Sequence, residues 1–393
     1  MNNFTISFYD EFKCSAESCP STCCRGWLVP IDDESYKKYI TLPLKDSLKA
    51  RLLIRKHDGY HVFNKYMSTC PFYEKDHLCH FHKNYGADYL CKVCASYPRI
   101  ECNYGVGASR FLDLSCPTVA EDFLSHLYDA VVINTDIVSN APLYGTNDDA
   151  SYFSFITKLR EYLETIIKDT RLSLPVIFNN LIKISQNIQN IFASESMNTD
   201  TSAAINKALA YLDSYEVSDN EYTFSSEAID KVMTGGYYHM RVKRESPLLY
   251  KLSNKYFKLF GPMYMSDIDA LYRDLLVGNI SFENAEYPVV DILRKYLWYM
   301  VNSFIYLTYE DYSFMRRIIT PILKCQLLGI FIYLYSSDSK SSRYKVHMNK
   351  KTEPPNLNKE TLSLVISAFS RRGSGPDGIY SDFFNIIYDY LPS

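Results

Sequence analysis

From Ala150 onward the apolar positions fall at helical spacing. Ile156, Leu159, Leu163, Ile166 and Ile167 recur at intervals of 3, 4, 3 and 1 and draw one apolar stripe. The same period predicts helices over 174–193, 202–214, 225–234, 266–277, 288–307, 311–336, 358–371 and 379–390. Upstream the pattern is broken. Residues 1–33 have no regular period; Asp32 or Asp33 is placed to cap a helix over 34–40, and 44–56 resumes helically after Pro43. Residues 57–63, with Asp58-Gly59 between polar and aromatic positions, predict a short hairpin or turn. Gly105 and Gly107 ahead of 111–117 predict a turn and a short strand, and Pro117 is suited to open a helix that reaches Val131. The segment 134–149, rich in Asn, Asp, Ser, Pro and Gly, reads as a boundary. The fold class expected is therefore mainly α: a cysteine-rich metal- or cluster-binding N-terminal domain with little regular strand at 1–133, then an α-helical domain at 150–393.

Length supports that division, because 393 residues exceed the size at which one core usually stops growing. Residues 1–120 carry 15 Lys+Arg against 13 Asp+Glu and the remainder 27 against 32, so neither part has the basic excess of a nucleic-acid binder. The apolar runs at 297–307 and 327–335 are too short to span a bilayer and read as buried helices. The first ten residues have neither a basic nor an apolar leader region, from which a cytoplasmic protein in a reducing compartment is expected.

That compartment changes how the cysteines are read. Ten of eleven fall between Cys14 and Cys116, and such density without an oxidising environment points to metal or redox chemistry rather than disulfides. Thiolates are soft anionic ligands that hold zinc tetrahedrally or the irons of a cluster. The spacing is Cys14-x4-Cys19-x3-Cys23-Cys24, then Cys70-x8-Cys79, then Cys91-x2-Cys94, with Cys102 and Cys116 beyond. Ten exceed the needs of one site, so either two sites exist or one is surrounded by packing thiols. Spacing ranks Cys23, Cys70, Cys79 and Cys94 as leading ligands, with Cys24, Cys19, Cys14 and Cys116 in reserve. His77, His80 and His82 flank Cys79 as surface histidines, and Cys325 reads as a buried small hydrophobe.

The ordered set Cys23-Cys24-Arg25-Gly26-Trp27 with Ile31-Asp32, Cys70-Pro71-Phe72, Leu78-Cys79, Cys94-x-x-Tyr97-Pro98-Arg99 and Ser115-Cys116-Pro117 resembles the flagellin lysine-N-methylase family and the wider cysteine-rich zinc- or iron-chelating group. The resemblance covers roughly residues 10–125. It implies a [4Fe-4S] cluster on these cysteines, S-adenosylmethionine as methyl donor and a flagellin lysine as acceptor. Thr118 departs from the family's pattern, and Cys91 and Cys102 are additions to it. Independent signs of a methyltransferase are few: Gly105-Val106-Gly107 lacks the third glycine and the following helix of a dinucleotide turn, and Gly235-Gly236 reads as a helix C-cap. Candidate catalytic groups near the cysteines are Tyr97, Glu101 and Asp113, because a lysine must lose its proton before it can be methylated. Arg99 is the candidate cofactor-side residue, a cation facing several thiolates. The long basic segment 336–356, with Lys340, Arg343, Lys345, Lys350 and Lys351, reads as a solvated disordered loop, with docking of a protein substrate as its functional alternative. The alternative to a cluster-containing methyltransferase is a non-catalytic zinc- or iron-binding protein.

Overall fold

A strand buried on both faces opens the chain. The structure is a computed structural model that describes residues 2–25, 29–57, 59–63, 69–135, 150–195, 201–237, 246–261, 263–282, 285–337, 356–370, 387–388 and 390–392. After β1 (Asn2–Ile6) come β2 (Pro30–Ile31), α1 (Asp33–Ile40), α2 (Leu44–Leu53), the hairpin of β3 (Ile54–His57) and β4 (Tyr60–Phe63), and the short helices α3 (His80–Tyr85) and α4 (Lys92–Ser96). The hairpin of β5 (Arg99–Asn103) and β6 (Gly107–Leu112) follows, then α5 (Pro117–Ser125) and β7 (Val132–Thr135). The rest is helical: α6 (Ala150–Lys168), α7 (Leu174–Glu195), α8 (Ser202–Ser214), α9 (Ser226–Val232), α10 (Pro247–Phe260), α11 (Met265–Val277), α12 (Val289–Phe304), α13 (Phe314–Ser336) and α14 (Lys359–Ser370).

The larger sheet has strand order β5-β6-β1-β7. β1 runs parallel to β6, with Asn2 opposite Gly107 and Thr5 opposite Arg110, and antiparallel to β7. Parallel neighbours need a long crossover, and here the crossover is the cysteine-bearing stretch itself. It leaves at the end of β1 and returns in β5. It has its own small core of Val29, Ile31, Tyr39, Leu42, Ala50, Ile54, Phe63, Cys70, Phe72, Phe81 and Cys91, laid against the antiparallel sheet β2-β4-β3.

Most of the other buried apolar residues described share one larger core. Phe4, Ile6, Phe8, Phe111 and Phe123 belong to the same apolar cluster as Tyr152, Leu159, Tyr299 and Phe331, so the apolar packing does not divide at 134–149. Arg160 of α6 lies over the Phe4 ring at 4.9 Å and donates to Asn302 at 3.0 Å. Arg294 of α12 donates to the carbonyls of Ile167, Asp169 and Leu172, which closes the α6–α7 turn. At the centre is α13, in which Gly329 lets Leu293 approach; a Cβ there would lie 3.0 Å from Leu293 Cδ1. This helix is long and apolar enough to cross a membrane, yet 89% of its apolar window is buried inside the protein, as in a core helix.

The mainly α class holds, but the N-terminal third has more strand than its sequence pattern suggests, seven strands in all among the described residues up to 135. Residues 54–56 leave the helix expected over 44–56, because Ile54, Arg55 and Lys56 pair with Phe63, Val62 and His61. The helix opened by Pro117 stops at Ser125, and the chain past Val131 pairs with β1 instead. α10 was missed although Pro247 and the buried Leu249, Leu252, Tyr256 and Phe260 carry a helical period. Gly235 and Gly236 sit within a π-helical turn, Met233–Tyr237, rather than forming a glycine C-cap. The helix expected over 379–390 and the basic residues of 336–356 lie outside the described residues, save at their ends.

Candidate metal centre

Local backbone pairing brings the cysteines together. Cys70 N–H donates to the Cys24 carbonyl at 2.6 Å beside an antiparallel bridge between Arg25 and Thr69. A tight hairpin then returns Cys79 to the same place: Tyr73 bridges Cys79, Glu74 N–H donates to Leu78 O at 2.9 Å, and His80 N–H to Phe72 O at 2.8 Å. Cys79, Cys91 and Cys116 are the N-cap residues of α3, α4 and α5. None of the three sulfurs makes a capping hydrogen bond, but each lies at a helix N-terminus, where the unpaired N–H groups and the helix dipole favour negative charge. The nearby backbone N–H groups of Phe81 and His82 at Cys79, of Cys94 at Cys91, of Thr118 and Val119 at Cys116 and of Phe72 at Cys70 act against the rise that burial imposes on these thiols. Backbone N–H groups aimed at sulfur stabilise thiolates, the form that binds metal.

Cys23, Cys24, Cys70, Cys79, Cys91 and Cys94 line one cavity, walled by Val29, Tyr39, Phe63, Phe72, Phe81, Leu90 and Tyr97. Its empty space is about 440 Å³ including the open mouth. The wall is made rigid by ring packing, with Tyr39 stacked on Phe81 at 4.0 Å and Phe72 tilted against Phe81 at 4.4 Å. Asp32 holds both α1 and α4 in place. It caps α1 through Ser35 N–H at 3.0 Å and accepts Lys92 N–H at 2.9 Å.

The thiols perturb one another. Hydrogen bonding with Cys24, followed by burial, pushes both Cys23 and Cys70 far up from the ordinary thiol value. Hydrogen bonding between Cys91 and Cys94 raises Cys94 and lowers Cys91, and burial raises Cys79. Burial also pushes Cys116 up to about 11, with Cys19 and Cys14 adding to it. Several buried thiolates repel, so a full set ionises together only around a cation. None of the eleven cysteines is in a disulfide. Among the described residues no three His, Cys, Asp or Glu side chains are set to ligate a single ion, so the sulfurs line a cavity rather than converge on one point. Soft donors at helix N-termini and apolar walls fit an iron–sulfur cluster or zinc.

The four leading cysteines from the sequence, Cys23, Cys70, Cys79 and Cys94, all line this cavity, and so does Cys24. Cys91 lines it too, although it is an addition to the family's pattern and was not ranked among the ligands; its Cys-x-x-Cys spacing with Cys94 was the available signal. Cys14, Cys19 and Cys116 form a neighbouring group beside Cys23, where Ser15 Oγ and Thr118 Oγ1 lie 2.9 Å apart. Of the other candidates, only Tyr97 reaches the cavity, with its hydroxyl 2.9 Å from Ser115 Oγ. Glu101 accepts from Tyr9 Oη at 2.6 Å and Arg110 Nε at 3.1 Å. Asp113 accepts Ser115 N–H at 2.8 Å and shapes the turn into Cys116. Arg99 donates to the Phe12 carbonyl, lies over the Tyr9 and Phe12 rings and is not part of the cavity lining. His80 is held by Asp46 and Glu74, and His77 by Tyr73.

No protein-family model and no solved structure matches the chain. Among characterised proteins it is similar to the flagellar biosynthetic protein FliU of Salmonella muenchen, 28% identical over 135 residues, which is 32% of this chain and 80% of that protein. It is also similar to the lysine-N-methylases of Salmonella typhimurium and Salmonella choleraesuis, 27% identical over 159 residues in each case, 37% of this chain and 39% of theirs. The chain thus spans about two fifths of the length of these two methylases.

Proposed function

We propose that the chain is a protein lysine N-methyltransferase acting on flagellin, with a cysteine-bound [4Fe-4S] cluster and S-adenosylmethionine as methyl donor. The observation that carries this reading is the similarity to lysine-N-methylases and a flagellar biosynthetic protein, in a chain with a six-thiol cavity. Cys24, Cys70, Cys79, Cys91 and Cys94, with Cys23 at the mouth, would hold the cluster. When bound, it supplies soft, Lewis-acidic iron able to exchange single electrons.

The chain's own residues contribute the surroundings. A lysine ε-amine is nucleophilic only when neutral, and an apolar wall such as Tyr39, Phe72 and Phe81 lowers an amine's pKa by withholding water from its charged form. Tyr97, the one polar side chain of that wall besides Tyr39, has its hydroxyl fixed by Ser115 and is the group we assign to orient the amine. A Rossmann-type cradle is absent among the described residues: Gly105, at φ +80°, turns the β5–β6 hairpin rather than opening a helix. S-adenosylmethionine accordingly has no residue assigned to it.

One observation favours a second reading, a structural metal without catalysis. Among the described residues the small core has eleven buried apolar side chains, three of them cysteine or alanine, and cores of that size usually need a metal or disulfide staple. The experiment that separates the readings is methyl transfer to purified flagellin by anaerobically prepared protein, read by mass spectrometry. Methylated lysine that is lost in Tyr97→Phe at unchanged iron content supports the enzyme; no transfer by iron-loaded wild type supports the structural metal.

A further inference from the structure

The solvent face of α2 is apolar where a surface helix is ordinarily polar. Leu44, Leu48 and Leu52 are 75%, 49% and 77% exposed, and their four-residue spacing sets them in one line about 12 Å long. The opposite face, Ser47 and Ala50, is the one buried. At about 100° per residue the leucines occupy an arc of about 80°, with Arg51 about 20° beyond one edge and Lys45 about 20° beyond the other. The helix's acidic side chain is engaged inward: Asp46 accepts Tyr85 Oη at 2.5 Å and faces His80 Nε2 at 3.2 Å. Arg55 and Lys56, exposed on β3 directly after α2, extend the positive charge.

We propose that α2 is a docking surface for an amphipathic helix of a partner protein, one with branched apolar anchors at four-residue spacing and acidic flanks. A narrow in-line row of leucines matches the seam between two helices. Interfacial membrane helices present a broader apolar face, usually over a greater length than the ten residues of α2. Charge selects among protein partners. A second copy would bring the same cations against themselves, and so would the chain's own basic segment at 336–356. The surface sits beside the thiol cavity, because Lys49 Nζ of α2 lies 4.9 Å from the ring centre of Phe72, a cavity wall residue. A helix docked here is held next to the candidate site. The inference goes beyond the methyltransferase reading and does not depend on it.

The test uses the full chain with its metal and two synthetic helical peptides, each with leucines at four-residue spacing, one flanked by glutamate and its twin by lysine. Fluorescence anisotropy should show the glutamate-flanked peptide binding wild type, and roughly tenfold weaker binding to the triple variant Leu44→Ser, Leu48→Ser, Leu52→Ser. Those leucines are exposed, so an unchanged melting temperature verifies that the variant is folded. The double variant Lys45→Glu, Arg51→Glu should exchange preference to the lysine-flanked twin. Equal binding by the triple variant overturns the proposal. So does a wild type that binds neither peptide, whether it instead sediments with phosphatidylserine vesicles, self-associates through the leucines, or does neither.

Discussion

Tyr299→Phe tests how the larger core holds the turn that carries Cys116. Where β1 has ended, the Tyr299 hydroxyl takes its place beside β6: it accepts Leu112 N–H at 3.1 Å and donates to Leu112 O at 2.5 Å. The residue is fully buried, with Phe111 and Phe123 edge-on at 5.9 and 5.7 Å. Phenylalanine keeps the ring and removes one oxygen. Two buried backbone groups of Leu112 then lose their partner, at about 1–3 kcal/mol each, and relief from burying the hydroxyl offsets part of this, which leaves a loss of about 2–4 kcal/mol. Equilibrium urea unfolding followed by the fluorescence of Trp298, the neighbouring residue, reads this core directly. The midpoint should fall with an unchanged m-value. A loss under about 1 kcal/mol would refute the reasoning, since it would mean that Leu112 finds other partners without cost.

Three further outcomes follow from the same geometry. Burial pushes Lys324 down to about 7 against partial support from Asp113, so between pH 7 and 10 the unfolded chain holds a proton that the folded chain has shed, and stability rises with pH. Lys324→Met removes that term: the stability of wild type relative to the variant should climb by up to about 4 kcal/mol from pH 7 to 10, and a flat difference in urea titrations would contradict it. Asp32→Ala should lower stability by about 1–2 kcal/mol at pH 7 through loss of the α1 cap; burial opposes ionisation of Asp32 but the N–H groups of Lys92 and Ser35 outweigh it and lower its pKa, so the deficit should shrink in melts below pH 4. Arg294→Met orphans three carbonyls at the α6–α7 turn and should cost about 3 kcal/mol or more, measured as a lower urea midpoint.

The helical region was legible because burial on one side imposes a period. Ile156, Leu159 and Leu163 are all fully buried as their spacing implies, and α8 covers the residues its pattern marked. Strands in the first third were hidden for a physical reason. Asn3 and Thr5 alternate with Phe4 and Ile6 as on a half-exposed strand, yet all four are buried, in a strand that also has β6 and β7 paired along its two edges. A parallel partner more than a hundred residues away leaves no local trace. Within the cysteine stretch the gathering of Cys23, Cys70, Cys79 and Cys94 at one cavity was readable from their dense spacing. The roles of Glu101 and Arg99 were not, because what engages them, Tyr9, Phe12 and Arg110, comes from other segments of the chain.

The claim at the centre is that the thiol cavity holds metal. Cys24 hydrogen-bonds with Cys23 and Cys70 and bears on Cys79 and Cys94, so it is the position to change. Iron, zinc and acid-labile sulfide are measured in anaerobically purified wild type, Cys24→Ser and Cys102→Ser, the last on β5 and outside the cavity lining. Iron and sulfide in wild type and Cys102→Ser, with most of both lost in Cys24→Ser, is the predicted result. Full metal content in Cys24→Ser, or a wild type without bound metal, would contradict it.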